Sequence, residues 1–192
     1  VTEIGADQTI KIVIDGTTTY SDETDSDSKF SFSFDDDILE SDSIIVLYID
    51  DETNDGNTII RLGYSDVFDL DIYGNNTIIV RNQEPYEITS SDFSNYDSTD
   101  DTDILYTYSS PTLTVNSGIT FYVWQGDRFD LNGDALTING TFENQGILEL
   151  DGDETLNITF DTDSGTVSYE GTGDYTALLS DNYEYYDLTF SS

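Results

Sequence analysis

Aspartate is the residue of this sequence best able to do chemistry, and of its several clusters two short polar segments best fit a metal-binding loop. The segment DETNDG (51–56) holds Asp51 and Asp55, with a glycine at its sixth position. The segment YDSTDDTD (96–103) holds four more aspartates, which are Asp97, Asp100, Asp101 and Asp103. Carboxylate oxygens spaced along a loop are the ligands that Ca²⁺ prefers. These six aspartates are therefore the predicted ligands of Ca²⁺ sites.

The first of these loops departs from the calcium loop of helical EF-hands. That loop has a bidentate glutamate at its twelfth position, and the twelfth residue counted from Asp51 is Leu62. A helical EF-hand is therefore excluded. A solvated acidic surface suited to high salt is the alternative explanation of the same aspartates.

The net charge restricts the partners of the chain. There are 41 acidic and 5 basic residues, which gives a net charge of −36. The phosphates of nucleic acids and anionic lipid headgroups repel such a chain, so nucleic acid is not expected as a partner. Copies of the chain also repel one another. We therefore expect high salt, divalent cations or both to neutralise the charge.

Residue types also argue against catalysis. The sequence has no cysteine, histidine or methionine, which removes disulfides, thiolate chemistry, imidazole bases and the commonest zinc ligands. Two carboxylates suffice for a glycosidase, but among 41 acids no pair stands out. No nucleophile elbow or phosphate loop is present. We predict that the protein is not an enzyme and assign no catalytic residue.

Three further features have a functional and an ordinary explanation. Asn75, Asn139 and Asn157 begin N-x-Ser/Thr sequons and are glycosylation candidates, although such triplets also arise by chance. Lys11 has two explanations: it forms an isopeptide cross-link, or it lies on the polar face of its strand. Five aromatic residues fit either a sugar-stacking platform or packing in cores and subunit contacts; they are Tyr122, Trp124, Tyr183, Tyr185 and Tyr186.

Short strands dominate the elements that must position these residues. Segments such as IKIVID (10–15) and FSFSF (30–34) alternate apolar and polar residues, whereas SIIVLYID (43–50) is apolar on both faces. Turns rich in Asp, Gly and Asn separate them about every ten residues, which predicts an immunoglobulin-like β-sandwich over residues 1–85. No segment approaches the roughly 20 apolar residues of a membrane span.

The second half of the chain has a different sequence pattern, with shorter apolar segments. Residues 86–111 are expected to form an acidic connector, and residues 112–192 a β-solenoid-like domain with glycine corners. Apolar triplets recur at Leu113–Val115, Leu136–Ile138 and Leu156–Ile158, and again, after a longer interval, at Leu188–Phe190. The first three begin at a spacing close to the coil of about 20 residues that is typical of a β-solenoid. A second small β-sandwich is the alternative, and both readings make the chain all-β.

These segments together resemble a known type of protein. The series KFSFSF, SIIVLYID, GNTIIRLGYSDVFDLDIYGNNTIIVRN, ITFYVWQGDRFDLNGDALTINGTFENQGILEL and YYDLTFSS is similar to one unit of very long, repeat-built bacterial surface proteins. In that family an immunoglobulin-like module precedes a short solenoid closed by a YYNLT-like segment. The resemblance implies a structural role at the cell surface and no catalytic residues. The extreme aspartate content departs from it.

The two ends of the sequence suggest how copies meet. Strand-like residues lie near both ends, and the predicted subunit contacts are Val1, Ile4, Tyr185, Tyr186, Leu188 and Phe190. The sequence lacks an initiator methionine and a basic leader, which favours an exported, mature chain. We expect an extracellular or cell-surface location.

The resulting functional prediction is structural. The chain is expected to be a subunit, or a tandem repeat, of an extracellular filament, sheath or surface stalk whose partners are copies of itself. Assembly would use β-edge or head-to-tail contacts, helped by divalent cations such as Ca²⁺. The alternative is a monomeric adhesin or carbohydrate-binding module with a glycan as its partner.

Overall fold

A computed structural model describes residues 5–34, 38–50, 55–64, 70–95, 105–171 and 183–191. These residues form sixteen strands and one short 3₁₀ helix, so the all-β prediction is confirmed. Within these ranges no helix is long and apolar enough to cross a membrane.

The elements follow one another along the chain in this order: β1 (Thr9–Ile14), β2 (Thr18–Glu23), β3 (Ile44–Ile49), β4 (Gly56–Arg61), β5 (Thr77–Asn82), β6 (Ile88–Thr89), the 3₁₀ helix (Ser90–Asn95), β7 (Tyr106–Ser109), β8 (Thr112–Val115), β9 (Thr120–Val123), β10 (Arg128–Asp130), β11 (Ala135–Ile138), β12 (Thr141–Asn144), β13 (Ile147–Leu150), β14 (Leu156–Asn157), β15 (Thr166–Tyr169) and β16 (Asp187–Phe190).

The longest sheet joins the two halves of the chain. Its strand order is β12-β9-β5-β4-β3-β1-β2, antiparallel from β2 to β4 and parallel from β4 to β12. One face contributes Val46 and Ile59 to the larger core, and the other packs Leu47 and Ile60 in a smaller core. This explains why β3 is buried along its whole length. The smaller core is covered by three phenylalanines of the 30–34 segment, which are Phe30, Phe32 and Phe34.

The immunoglobulin-like sandwich is not confirmed, because the strands described within 1–85 continue into a sheet that the later strands complete. The segment predicted as a connector also contributes to the larger core, through Phe93, Leu105 and Tyr106. The boundaries at residues 85 and 111 stay predictions.

The β-solenoid prediction is confirmed for the second half of the chain. Parallel strands stack on three sides: β8, β11 and β14 on one, β9 and β12 on the second, and β10, β13, β15 and β16 on the third. Leu113, Leu136 and Leu156 occupy the same position in successive coils. The spacing of these three leucines in the sequence is therefore the length of one coil.

The fourth apolar triplet belongs to another side of the solenoid. Leu188 and Phe190 in β16 pair with Val167 and Tyr169 in β15, and Leu156 does not share their sheet. The longer interval between Leu156 and Leu188 therefore spans more than one coil and is not an irregular repeat.

A glycine allows the coils to approach each other closely at one corner. A Cβ atom on Gly140 would overlap the backbone carbonyl oxygen of Ile119 in the preceding coil. Every other residue type would force these coils apart.

Candidate functional site

The edge formed by β16 is the candidate assembly site. Among the described strands, β16 is the outermost of the five-stranded sheet β16-β15-β13-β10-β6. The Ser191 N–H donates to the Tyr169 carbonyl at 2.9 Å. Because alternate residues of a parallel strand bond to the same neighbour, the N–H and C=O of Leu188 point away from β15. The Leu188 N–H meets a carboxylate oxygen of Asp187 at 3.0 Å.

At this edge, a side chain in a column that points into the solenoid is exposed to solvent. Leu131, Leu150 and Tyr169 lie in one column inside the solenoid and are at most 1% exposed. Phe190 continues this column, stacks on the Tyr169 ring with centroids 5.5 Å apart, and is 54% exposed. Tyr186, which directly precedes β16, is 63% exposed. One side of the last described rung is therefore open to solvent.

The tyrosines that precede β16 hold it against the core. The hydroxyls of Tyr169 and Tyr185 lie 2.9 Å apart and share a hydrogen bond. Phe160 packs its ring against Tyr183 at 5.0 Å and against Tyr185 at 4.8 Å. Burial raises the pKa of both Tyr169 and Tyr185, so these hydroxyls stay protonated at physiological pH.

The predicted subunit contacts are therefore of three kinds. Tyr186 and Phe190 are mostly exposed, Leu188 is half-buried, and Tyr185 packs against the larger core. Val1 and Ile4 lie outside the described residues.

One of the six predicted calcium ligands is among the described residues. Asp51, Asp97, Asp100, Asp101 and Asp103 lie outside the described residues. Asp55 is described, is half-buried just before β4, and accepts the Asn76 N–H at its backbone carbonyl at 2.7 Å.

A third acidic cluster comes from the segment DGDE (151–154). The carboxylate oxygens of Asp151, Asp153 and Glu154 lie within 4.8 Å of one another. Glu154 is 5% exposed and accepts the N–H groups of Asp151 and Gly152, the latter at 2.7 Å. These hydrogen bonds explain why Glu154 is buried, since its carboxylate closes a tight turn.

Sequence reasoning missed a charged cluster on the outside of the five-stranded sheet. Arg128 contacts Glu149 and lies 3.3 Å from Glu87. Burial, together with the Glu87 carboxylate, raises the pKa of Glu149 to about 8 and that of Asp130 to about 6. These residues are distant in sequence, and only the strand register brings them together.

The five aromatic residues of the predicted sugar platform do not share one surface. Tyr122 belongs to β9, and its ring lies 5.6 Å from that of Trp124. Trp124 is further covered by Tyr73, 6.2 Å away, and by the guanidinium of Arg81, 5.1 Å away. The remaining three precede β16, which belongs to a different sheet, and they are Tyr183, Tyr185 and Tyr186.

The sequon asparagines Asn75, Asn139 and Asn157 are all exposed. The side-chain amide of Asn139 donates to the Val115 carbonyl at 3.2 Å, which ties it to the neighbouring coil. Exposure is consistent with glycosylation, which stays a prediction.

No family model, curated protein or solved structure matches this chain at a significant level. The resemblance to repeat-built bacterial surface proteins therefore stays a prediction from the residues, and function has to be inferred from the fold and its surfaces.

Proposed function

We propose that this chain is a structural subunit, or one repeat, of an extracellular filament, sheath or surface stalk, and that adjoining units meet at the β16 edge. The observation that supports this most is the exposure of Phe190 at the end of an otherwise buried interior column. In solenoids each rung buries its apolar residues against the next. A following unit would cover Phe190 in the same way.

The backbone at this edge suits the addition of a strand. Leu188 directs its N–H and C=O outward, and an incoming strand would pair with them. We place this edge against a different surface of the next copy, and such a head-to-tail contact extends into a filament when successive rotations do not close a ring. The net charge of −36 opposes this contact, and cations or salt overcome the repulsion.

The two exposed rings set the size of the expected effect. With about 200 Å² per ring, their exposure of 63% and 54% leaves roughly 110–130 Å² uncovered on each. Covering that area contributes about 3 kcal/mol per ring, or roughly 100-fold in association.

The test compares the wild-type chain with a Tyr186→Ser, Phe190→Ser double variant by electron microscopy at high protein concentration with calcium. Tyr64→Ser is the matched control, because Tyr64 is 75% exposed and lies far along the chain from β16, just after β4. We expect periodic fibres from the wild type and the control, and discrete particles from the double variant. Treatment of the fibres with EDTA at low salt should loosen them.

Fibres formed equally well by the double variant would contradict assembly at β16. Discrete particles from the wild type under the same conditions would favour the monomeric adhesin or carbohydrate-binding module, which a glycan array would then test.

A further inference from the structure

Several polar side chains share one face of the seven-stranded sheet at the loop end of β3 and β4. Asn57 in β4 pairs with Tyr48 in β3. Continued by two positions, just beyond the ends of these strands, the same antiparallel register would set Asp55 opposite Asp50. Residues two apart on a strand face the same side, so this register would place Asp50, Asp55 and Asn57 on one face. Neighbours in such an arrangement have Cβ atoms about 4.5–8 Å apart.

Of these three residues Asn57 is buried, whereas Asp50 and Asp55 are half-buried. Asn57 is 1% exposed, and within the described part of the chain neither its amide oxygen nor its amide nitrogen has a hydrogen-bond partner. One carboxylate oxygen of Asp50 and one of Asp55 are also inaccessible to water. An unsatisfied buried amide costs about 1–3 kcal/mol, and in native proteins it usually meets a bound water or ion.

The types of ligand favour a hard cation. Lys11 places its ammonium 3.1 Å from the shielded oxygen of Asp50. Asp55 adds a second carboxylate, and the Asn57 amide oxygen adds a neutral ligand on the same face. Carboxylate and amide oxygens with flexible geometry suit Ca²⁺, whereas Mg²⁺ demands a near-ideal octahedron and retains most of its water.

We propose that Asp50, Asp55 and Asn57 hold a Ca²⁺ ion at the loop end of β3 and β4, with water completing its coordination. The site retains Asp50 and Asp55, which belong to one aspartate cluster of the sequence, and adds Asn57, which aspartate clustering alone did not identify. It does not depend on the filament proposal, because a monomer would bind the ion equally well.

The test titrates Ca²⁺ into EDTA-stripped protein by isothermal calorimetry at physiological ionic strength, and measures the melting temperature with and without Ca²⁺. Asn57→Leu replaces the amide by an apolar group of similar size, and Asp55→Asn removes one charge. Asp153→Asn is the matched control, since it removes one charge from the other acidic cluster.

We expect one saturable site in the wild type and in the Asp153→Asn control, with a melting temperature that rises on binding. Asn57→Leu and Asp55→Asn should weaken binding at least about tenfold and lose that rise. In EDTA, Asn57→Leu should be at least as stable as the wild type, because it no longer buries an unpartnered amide.

Three results would overturn the proposal. The first is the absence of a saturable site up to about 10 mM Ca²⁺, tenfold above the weakest extracellular calcium modules. The second is unchanged binding in both Asn57→Leu and Asp55→Asn. The third is loss of binding in Asp153→Asn alone, which would assign the ion to the Asp151 cluster. If Asn57→Leu fails to fold, Asp55→Asn compared with Asp153→Asn decides the question.

Discussion

Two leucines in one interior column of the solenoid provide a matched pair for testing the fold and the open edge together. The column runs through Phe129, Leu148, Val167 and Leu188 in consecutive strands of the five-stranded sheet. Leu148 is 0% exposed between two covered rungs, whereas Leu188 in the last described rung is half-buried. The same substitution, Leu→Ala, can therefore be made at two equivalent positions that differ in coverage.

The expected losses follow from that coverage. Leu148→Ala should lower the free energy of unfolding by about 3–5 kcal/mol, since it removes buried methyl groups and leaves a cavity in a rigid stack. Because Leu188 is half-buried, its truncation to alanine loses roughly half of the transfer free energy of a leucine side chain. Solvent fills the space that the side chain leaves. Leu188→Ala should therefore cost only about 1 kcal/mol in the isolated chain.

Urea denaturation at low protein concentration measures both losses. Guanidinium chloride is unsuitable because, as a salt, it would screen the net charge of −36 and change stability by itself. Equal losses for the two variants in the isolated chain would refute the assignment of β16 to an open edge. In assembled material, the Leu188→Ala loss should rise towards that of Leu148→Ala, because the next copy would cover Leu188.

Two further predictions concern the charged cluster and the coil corners. The folded state keeps a proton on Glu149 up to about pH 8 that the unfolded chain releases near its ordinary pKa of 4.5, so the free energy of unfolding should fall between those pH values. Glu149→Gln should flatten this dependence in urea titrations at pH 5 and pH 8, and an unchanged slope would show that other groups cause it. Gly140→Ala should destabilise by more than about 2 kcal/mol in thermal melts, because its Cβ would meet the Ile119 carbonyl. Gly5→Ala, with nothing within 4 Å of its Cβ, should stay within about 0.5 kcal/mol of the wild type, and equal effects would contradict close approach of the coils.

Local patterns were sufficient to predict many of the described strands and the coil length, but the alternating segment FSFSF (30–34), which was expected to be a strand, forms none. Alternation of apolar and polar residues marks a strand with one buried face, and Leu113, Leu136 and Leu156 recur at the length of one coil because stacked rungs repeat the same environment. Tyr186 and Phe190, which are exposed in the structure, were named from sequence as subunit contacts, because a strand-like segment rich in aromatic residues needs something to cover it; the contacts themselves stay a prediction.

The sequence did not predict which distant strands pair with each other, because local patterns do not identify the segment that covers each face. The six apolar residues of β3 indicate a strand covered on both faces, but they do not say that one cover is the solenoid and the other a phenylalanine-rich segment. The Leu188 triplet looks like another copy of Leu156, because the composition of an apolar triplet is the same on every side of a solenoid.

By itself, the sequence determined the all-β class, the coil repeat, the extreme negative charge and the exclusion of cysteine and histidine chemistry, since each depends on residue types and short-range periodicity. Only the tertiary structure decided which strands are neighbours. That choice joins β4 to β5, brings Arg128 to Glu149, buries the Asn57 amide and, among the described strands, leaves β16 outermost in its sheet. The physical reason is that strand pairing is set by the burial of whole faces across distant segments, and no local pattern records it.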